Sequence, residues 1–226
     1  MNVLVLSAHP DDETIGAGGT LARLAARDAK VHLWVATEIY EPLWPGGQKP
    51  PRRAEAERAA SILGITDVRF GGLPTMNLAT MPAIELAGLV GRLVEEFRPD
   101  ILLAPPPADV NSDHSAVFDA ALVAARGLPG SPVRAFYAYE IATTTRFDGP
   151  AAAFRANTYV DITSTFAKKL EAFAAYQSEK RDSPHPRSPE GLEILAKERG
   201  LGCGAAYAEC FMLVSRRLLG EEAPAL

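Results

Sequence analysis

Short apolar runs alternate with helix-period stretches along the first half of the chain. Val3–Leu6 is apolar without polar alternation, the pattern of a parallel strand covered on both faces. Ile15–Ala26 follows with Ile15, Leu21, Leu24 and Ala25 near one face, which predicts a helix. Val31–Ala36 reads as a second strand. Arg52–Leu63 reads as a helix stopped by Gly64, a residue that readily adopts the left-handed end conformation. Val68–Phe70 is a short third strand. Ile84–Phe97 is a helix halted at Arg98-Pro99, because the residue before proline disfavours helical backbone. Ile101–Ala104 is a buried strand that ends on three prolines, and Asp113–Ala125 is a helix.

The second half is less regular. Ala135–Ile141, Tyr159–Ile162 and Tyr207–Val214 are expected as strands, and Ser164–Gln177 and Glu190–Arg199 as helices. Long connections fall at Glu38–Pro51, Thr143–Asn157 and Ser178–Ser188; loops of such length in a compact domain are often functional. Strand–helix alternation predicts an α/β fold: a Rossmann-like, mostly parallel sheet with helices on both faces. One domain covering 1–226 is expected, with ligand chemistry at the carboxyl ends of the strands.

Composition narrows the partners. With 226 residues, 47% of them hydrophobic, the chain can bury a large core. A net charge of −5 argues against a general nucleic-acid surface or strong attraction to anionic lipid. Two cysteines, Cys203 and Cys210, form no disulfide framework and match no zinc-site spacing. The opening MNVLVLSAHPDD lacks a basic start and a cleavage-type motif, and nothing approaches the roughly 18 apolar residues of a membrane span. A cytoplasmic protein without a membrane anchor is the expectation, with a homo-oligomer left open.

The chemistry concentrates in two places. Ala8–Glu13 (AHPDDE) directly follows the first strand and carries His9, Asp11 and Asp12, with Pro10 stiffening the turn. Asn111-Ser112-Asp113-His114 follows the Ile101–Ala104 strand. Two donor clusters at one sheet edge can converge on one ion. Two imidazoles and one carboxylate suit a catalytic zinc, which leaves a position for water and lowers its pKa to roughly 7. Adjacent Asp11 and Asp12 allow a division of labour, one on the ion and one facing the substrate. The bland reading is a solvated turn or helix cap. Glu13 reads as a first-turn carboxylate favoured by the helix dipole, or as a group steadying a ligand from behind.

AHPDDE after the first strand, with Asp113-His114 after a later one, resembles the LmbE-like or PIG-L family of zinc de-N-acetylases. The resemblance runs on through Arg52-x-x-Glu55 with Leu63-Gly64, Tyr159-Val160-Asp161-Ile162, Lys168 or Lys169, Ala175-Tyr176-Gln177-Ser178, Glu198-Arg199-Gly200 and Ala208-Glu209-Cys210-Phe211. It implies hydrolysis of an N-acetyl group on an amino sugar or glycoconjugate, such as glucosaminyl groups of phosphatidylinositol, thiol precursors or chitobiose. It also implies zinc, or another divalent ion, on His9, Asp12 and His114, with Asp11 as general base and Asp113 orienting a histidine or capping its helix.

One position departs from the family. Many members carry a histidine where this chain has Asn111. An amide can donate to an oxyanion but delivers no proton at neutral pH. His185, in the Ser183–Ser188 loop, is the candidate to supply that function. Arg52 is expected to grip a sugar hydroxyl or phosphate, with Arg53 sharing that ambiguity. Trp44 is expected to stack on a sugar ring, and Tyr139 and Glu140 to face the pocket. Asp109 is expected to support Asn111 or a substrate hydroxyl, and His32 is read as structural. Two rivals remain. A dinucleotide-binding protein is suggested by Gly16, Gly18 and Gly19, but Leu21 stands where the third glycine of that fingerprint belongs, and close helix packing explains the glycines better. A non-catalytic sugar-binding relative is the other.

Overall fold

The computed structural model describes residues 1–39, 52–107, 109–145 and 154–219. Seven strands form one sheet: β1 (Asn2–Ser7), β2 (Lys30–Glu38), β3 (Asp67–Pro74), β4 (Ile101–Ala104), β5 (Ala135–Tyr139), β6 (Thr158–Asp161) and β7 (Ala208–Arg216). Six helices accompany them among the described residues: α1 (Asp12–Ala25), α2 (Arg52–Leu63), α3 (Ala83–Phe97), α4 (Ser112–Ala124), α5 (Phe166–Ala174) and α6 (Pro189–Leu201). The strand order is β3-β2-β1-β4-β5-β7-β6. The first five strands are parallel, whereas β7 runs antiparallel to both β5 and β6.

β1 shows why the apolar runs had no alternation. Val3 and Val5 face α1, α2 and α5, while Leu4 and Leu6 face α3 and α4, and all four are fully buried. Each such side chain contributes about 1.5–3 kcal/mol of burial relative to exposure. Helix ends follow local chemistry. Ser188 Oγ accepts the Gly191 amide at the start of α6, with Pro189 in the first turn, and Arg98 closes α3 in the left-handed region at φ 44°. A 3-10 turn at Leu78–Thr80, not anticipated from the sequence, packs against α4.

The glycines of α1 serve packing. A Cβ on Gly16 would run into the Tyr139 ring and would meet the Glu140 carbonyl oxygen at 2.6 Å; one on Gly19 would meet Ile162 at 2.7 Å. This close approach lets Glu209 on β7 accept the Gly19 and Thr20 amides at 2.9 and 2.7 Å. Lys169 on α5 completes that buried pair, reaching Glu209 at 2.6 Å and the Ile15 carbonyl at 2.7 Å. His32 stacks on Phe97 with ring centroids 4.2 Å apart, a packing role. No described helix is long and apolar enough to cross a membrane.

Candidate metal centre

Strand order reverses between β1 and β4: from β1 the chain moves outward to β2 and β3, then returns to β4 on the other side. Such a switch point opens a crevice at the carboxyl ends of the strands. The turn after β1 carries His9 and Asp11 and leads into Asp12 at the start of α1, and Asp109 and Asn111 precede α4, whose first turn carries Asp113 and His114, so both donor clusters meet there. Thr37 fixes the first loop by donating its backbone N–H and its hydroxyl to the Ala8 carbonyl, at 3.0 and 2.7 Å.

Three ligand atoms form a nearly equilateral triangle. His9 Nδ1 lies 3.2 Å from His114 Nε2. Asp12 Oδ2 lies 3.5 Å from the first and 3.4 Å from the second. Tetrahedral zinc with bonds of about 2.0–2.1 Å has ligand–ligand edges of roughly 3.3 Å. The donor set of two imidazoles and one carboxylate therefore fits zinc in both chemistry and spacing. The second oxygen, Asp12 Oδ1, is buried without a hydrogen bond. Among the described residues this is the cluster of His, Cys, Asp and Glu arranged to hold an ion.

The far nitrogen of each imidazole meets a carboxylate. His9 Nε2 donates to Asp113 Oδ2 at 3.0 Å, which leaves Nδ1 with its lone pair toward the triangle. His114 Nδ1 lies at ion-pair distance from Asp109 Oδ1, 3.2 Å, without a hydrogen bond between them. Asp113 also accepts the backbone amides of Met76 and Leu78, at 2.6 and 3.0 Å, and so is anchored by the 3-10 turn. Asp109 accepts the Asn111 amide at 2.9 Å and the hydroxyls of Thr144 and Thr145 at 3.0 and 3.2 Å.

Electrostatics show a pocket short of positive charge. Burial alone would lower the His9 imidazole, but hydrogen bonds to Asp113 and Asp12 outweigh it and raise it to about 9. Burial likewise opposes charge on His114, yet Asp12 and Asp109 raise it to about 10. Burial would raise Asp12, but the two histidines hold it far below the usual carboxylate range.

Asp11 precedes α1 with φ 116°, a left-handed backbone that costs a non-glycine residue on the order of 1–3 kcal/mol. Its carbonyl oxygen accepts the Thr14 and Ile15 amides at 3.0 and 2.9 Å. The strained turn brings Asp11 Oδ2 within 3.2 Å of Arg187 Nη1, and Asp11 contributes no atom to the triangle. Burial pushes its carboxyl well above the ordinary range, against the pull of Arg187 and with Asp12, Glu179 and Glu13 adding to the rise. Glu13 is fully buried and accepts from Ser7, Thr14 and Tyr176 hydroxyls at 3.2, 2.6 and 2.6 Å, behind the cluster.

Other expected residues lie elsewhere. Asn111 caps α4, its Oδ1 accepting the Asp113 amide at 3.0 Å. His185 is exposed and its Nδ1 accepts the Arg187 amide at 3.0 Å; the structure does not bring it to the cluster. Tyr139 and Glu140 are both buried, and neither belongs to the metal triangle. Tyr139 is fully buried, its hydroxyl donating to the Leu6 carbonyl at 2.8 Å, because β5 is covered on both sides. Glu140 is held by Arg199 at 2.6 and 2.9 Å and accepts from the Cys210 thiol, so its charge is already compensated. Arg52 is paired with Glu179, and Arg53 with Glu38 while lying 4.8 Å over the Phe70 ring. Trp44 lies outside the described residues. Arg187 and Glu179 were missed by sequence reasoning. The only signal was the Ser183–Ser188 loop, where a histidine drew attention and the arginine two positions on is the side chain that turns inward.

The profile of the family described as "PIG-L: GlcNAc-PI de-N-acetylase" matches residues 4–125, which hold both loops of the triangle. The chain belongs to the PIG-L family. Among curated members, the probable N-acetyl-alpha-D-glucosaminyl L-malate deacetylase 2 of Bacillus anthracis is 28% identical over 189 residues, covering 79% of this chain and 81% of that one. Likeness in fold to solved structures extends over nearly the whole chain. The conserved protein TT1542 of Thermus thermophilus superposes with a TM-score of 0.74 at 26% identity, over 99% of each chain. The 4-carboxy-2-hydroxymuconate hydratase GalB of Pseudomonas putida KT2440 superposes with a TM-score of 0.71 at 23% identity, over 97% of this chain and 98% of that one. At that identity it shares the fold alone, and the fold by itself does not fix the reaction.

Proposed function

We propose that this PIG-L member is a divalent-metal hydrolase that removes the N-acetyl group from an amino-sugar conjugate. The observation that carries the reading is the triangle of His9 Nδ1, Asp12 Oδ2 and His114 Nε2, whose 3.2, 3.5 and 3.4 Å edges match a tetrahedral zinc face. Membership of a family described by a de-N-acetylase, and a curated deacetylase relative aligned over most of both chains, supply the reaction class.

An ion held there would polarise the acetyl carbonyl and make water acidic enough to attack near neutrality. Asp11 would take the proton from the attacking water; its raised affinity for a proton suits a base that must hold one and give it back. Asp113 would keep the His9 imidazole in the tautomer that presents the ligand nitrogen, with Asp109 beside His114. Asn111 spends Oδ1 on its cap, which leaves its NH2 group to donate to a developing oxyanion. With an amide at 111 and His185 turned to solvent, Asp11 is the described side chain suited to returning the proton to the leaving amine.

The test is amine release from a panel of N-acetylglucosaminyl conjugates by zinc-loaded protein. Release is expected, and Asp11→Asn should lower kcat by about 10²–10⁴-fold with bound metal unchanged. A protein that takes up no divalent ion, or a loaded protein that deacetylates nothing on the panel, overturns the reading. Asn111 favours one second reading, a sugar-binding relative without catalysis; there, conjugates would bind to the loaded protein without turnover.

A further inference from the structure

Asp11 and Asp12 are chemically identical neighbours, both buried, yet only Asp12 belongs to the triangle. Something must keep the second carboxylate off the ion. Backbone strain at Asp11 does part of this, and the remainder comes from the opposite side of the site. Arg187 Nη1 lies 3.2 Å from Asp11 Oδ2 and 2.7 Å from Glu179 Oε2. Glu179 is buried, and its other oxygen is taken by Arg52 at the start of α2. Glu179 is thus clamped between two guanidiniums, one from α2 and one from the loop before α6. Arg187 cannot follow Asp11 toward the ion without abandoning Glu179, and so acts as a fixed stop. A carboxylate needs such a stop because an uncompensated divalent ion attracts every carboxylate in reach.

We propose that Arg187 is a positioning residue that holds Asp11 out of the metal's coordination shell, with Glu179 and Arg52 as its anchor. The assignment rests on the metal-site reading above, but it does not depend on which amide is cleaved. Asp11 divides from Asp12 by geometry imposed from the loop, and the loop carrying Arg187 becomes part of the catalytic apparatus without touching substrate. A simple loop-fastening role would need only the Arg187–Glu179 pair. The reach of the same Nη1 to Asp11 is the feature that fastening leaves unexplained.

The experiment loads wild type, Arg187→Met and Arg187→Met/Asp11→Asn with Co²⁺ and records the visible absorption of the ion, which weakens as coordination number rises. The expected result is a weaker band in Arg187→Met, as Asp11 swings onto the ion, and a return toward the wild-type band in the double variant. In the deacetylation assay, kcat of Arg187→Met should fall about 10–100-fold while KM moves little, since the substrate's own contacts remain. Arg187→Lys, which keeps one cation but cannot bridge both carboxylates, should fall between and covers the case in which the methionine variant does not fold. A band identical in wild type and both Arg187 variants overturns the proposal, whatever the activity. Band changes as expected in a protein that deacetylates nothing retain this assignment and refute the proposed reaction. Failure of wild type to take up Co²⁺ refutes both.

Discussion

Asp113 holds two things at once, and substituting it separates them. Oδ2 accepts from His9 Nε2 at 3.0 Å and from the Met76 amide at 2.6 Å, while Oδ1 accepts the Leu78 amide at 3.0 Å. Asp113→Ala removes all three bonds. Leu78 is 1% exposed, so its orphaned amide costs about 1–3 kcal/mol, whereas Met76 is half exposed and finds water, costing roughly 0.5–1.5 kcal/mol. The sum is a stability loss of about 1.5–4.5 kcal/mol. His9 loses the partner that fixes its tautomer, and metal affinity should fall about 10–100-fold, or about 1.4–2.8 kcal/mol.

Asp113→Asn behaves differently because an amide has one acceptor oxygen. Turned toward His9 and Met76 it keeps two bonds; turned toward Leu78 it keeps one. The first orientation wins, leaving only the Leu78 amide facing an NH2 group. Stability should then fall by about 1–3 kcal/mol while metal affinity stays within roughly threefold of wild type. Urea unfolding with chelator present measures the stability change, and competition with a chromophoric chelator measures the affinity. If Asp113→Asn loses as much affinity as Asp113→Ala, the carboxylate charge rather than the hydrogen-bond count governs His9, and the reasoning above is wrong.

Further consequences can be checked in the same protein. Lys169→Met leaves Glu209 buried without its cation and should cost about 3–5 kcal/mol in urea unfolding, whereas Lys169→Met/Glu209→Gln should recover part of the loss; equal losses would mean the pair is not the source. Both imidazoles are raised, to about 9 and about 10, so each carries a proton at neutral pH when no ion competes. Ion uptake at pH 7 should therefore release about two protons, and affinity should climb with pH until those values are passed. Calorimetry in buffers of different ionisation enthalpy reads the proton count, and release of none would contradict the histidine ligands.

What could be read from the sequence follows the strength of the local signal. β1, β4 and α2 were legible because burial on both faces, or a strong helix period with an end signal, leaves one reading of the residues. The direction of β7 was not legible, since periodicity reports the spacing of side chains and says nothing about chain polarity. The two donor clusters were legible because both follow strands, and strand order then brings the ends together at the switch point. Tyr139 and Glu140 show where alternation runs out: Tyr139 ends β5, which is covered on both sides, and Glu140 follows it, so the pattern gives no sign of which side chain reaches solvent. Arg187 was invisible for a different reason: its partners, Asp11 and Glu179, are set by how a long loop returns over the site, and no local pattern encodes that return.

Charge around the triangle ties these threads together. Asp12, Asp109 and Asp113 converge on His9 and His114, while Asp11 stands beside Arg187. With Asp12, Asp109 and Asp113 ionised and both imidazoles neutral, the groups that touch the two rings sum to −3. Two protons on the imidazoles bring that to −1, and so does one divalent ion on neutral imidazoles. Exchange of two protons for one dication thus leaves the local charge unchanged, and the rest of the fold need not rearrange to accept it. A monovalent ion would leave −2, and a trivalent ion would leave 0 beside a guanidinium already bound to Asp11. The balance favours a dication, which is the same preference that the nitrogen and oxygen donors and the edge lengths of the triangle express independently.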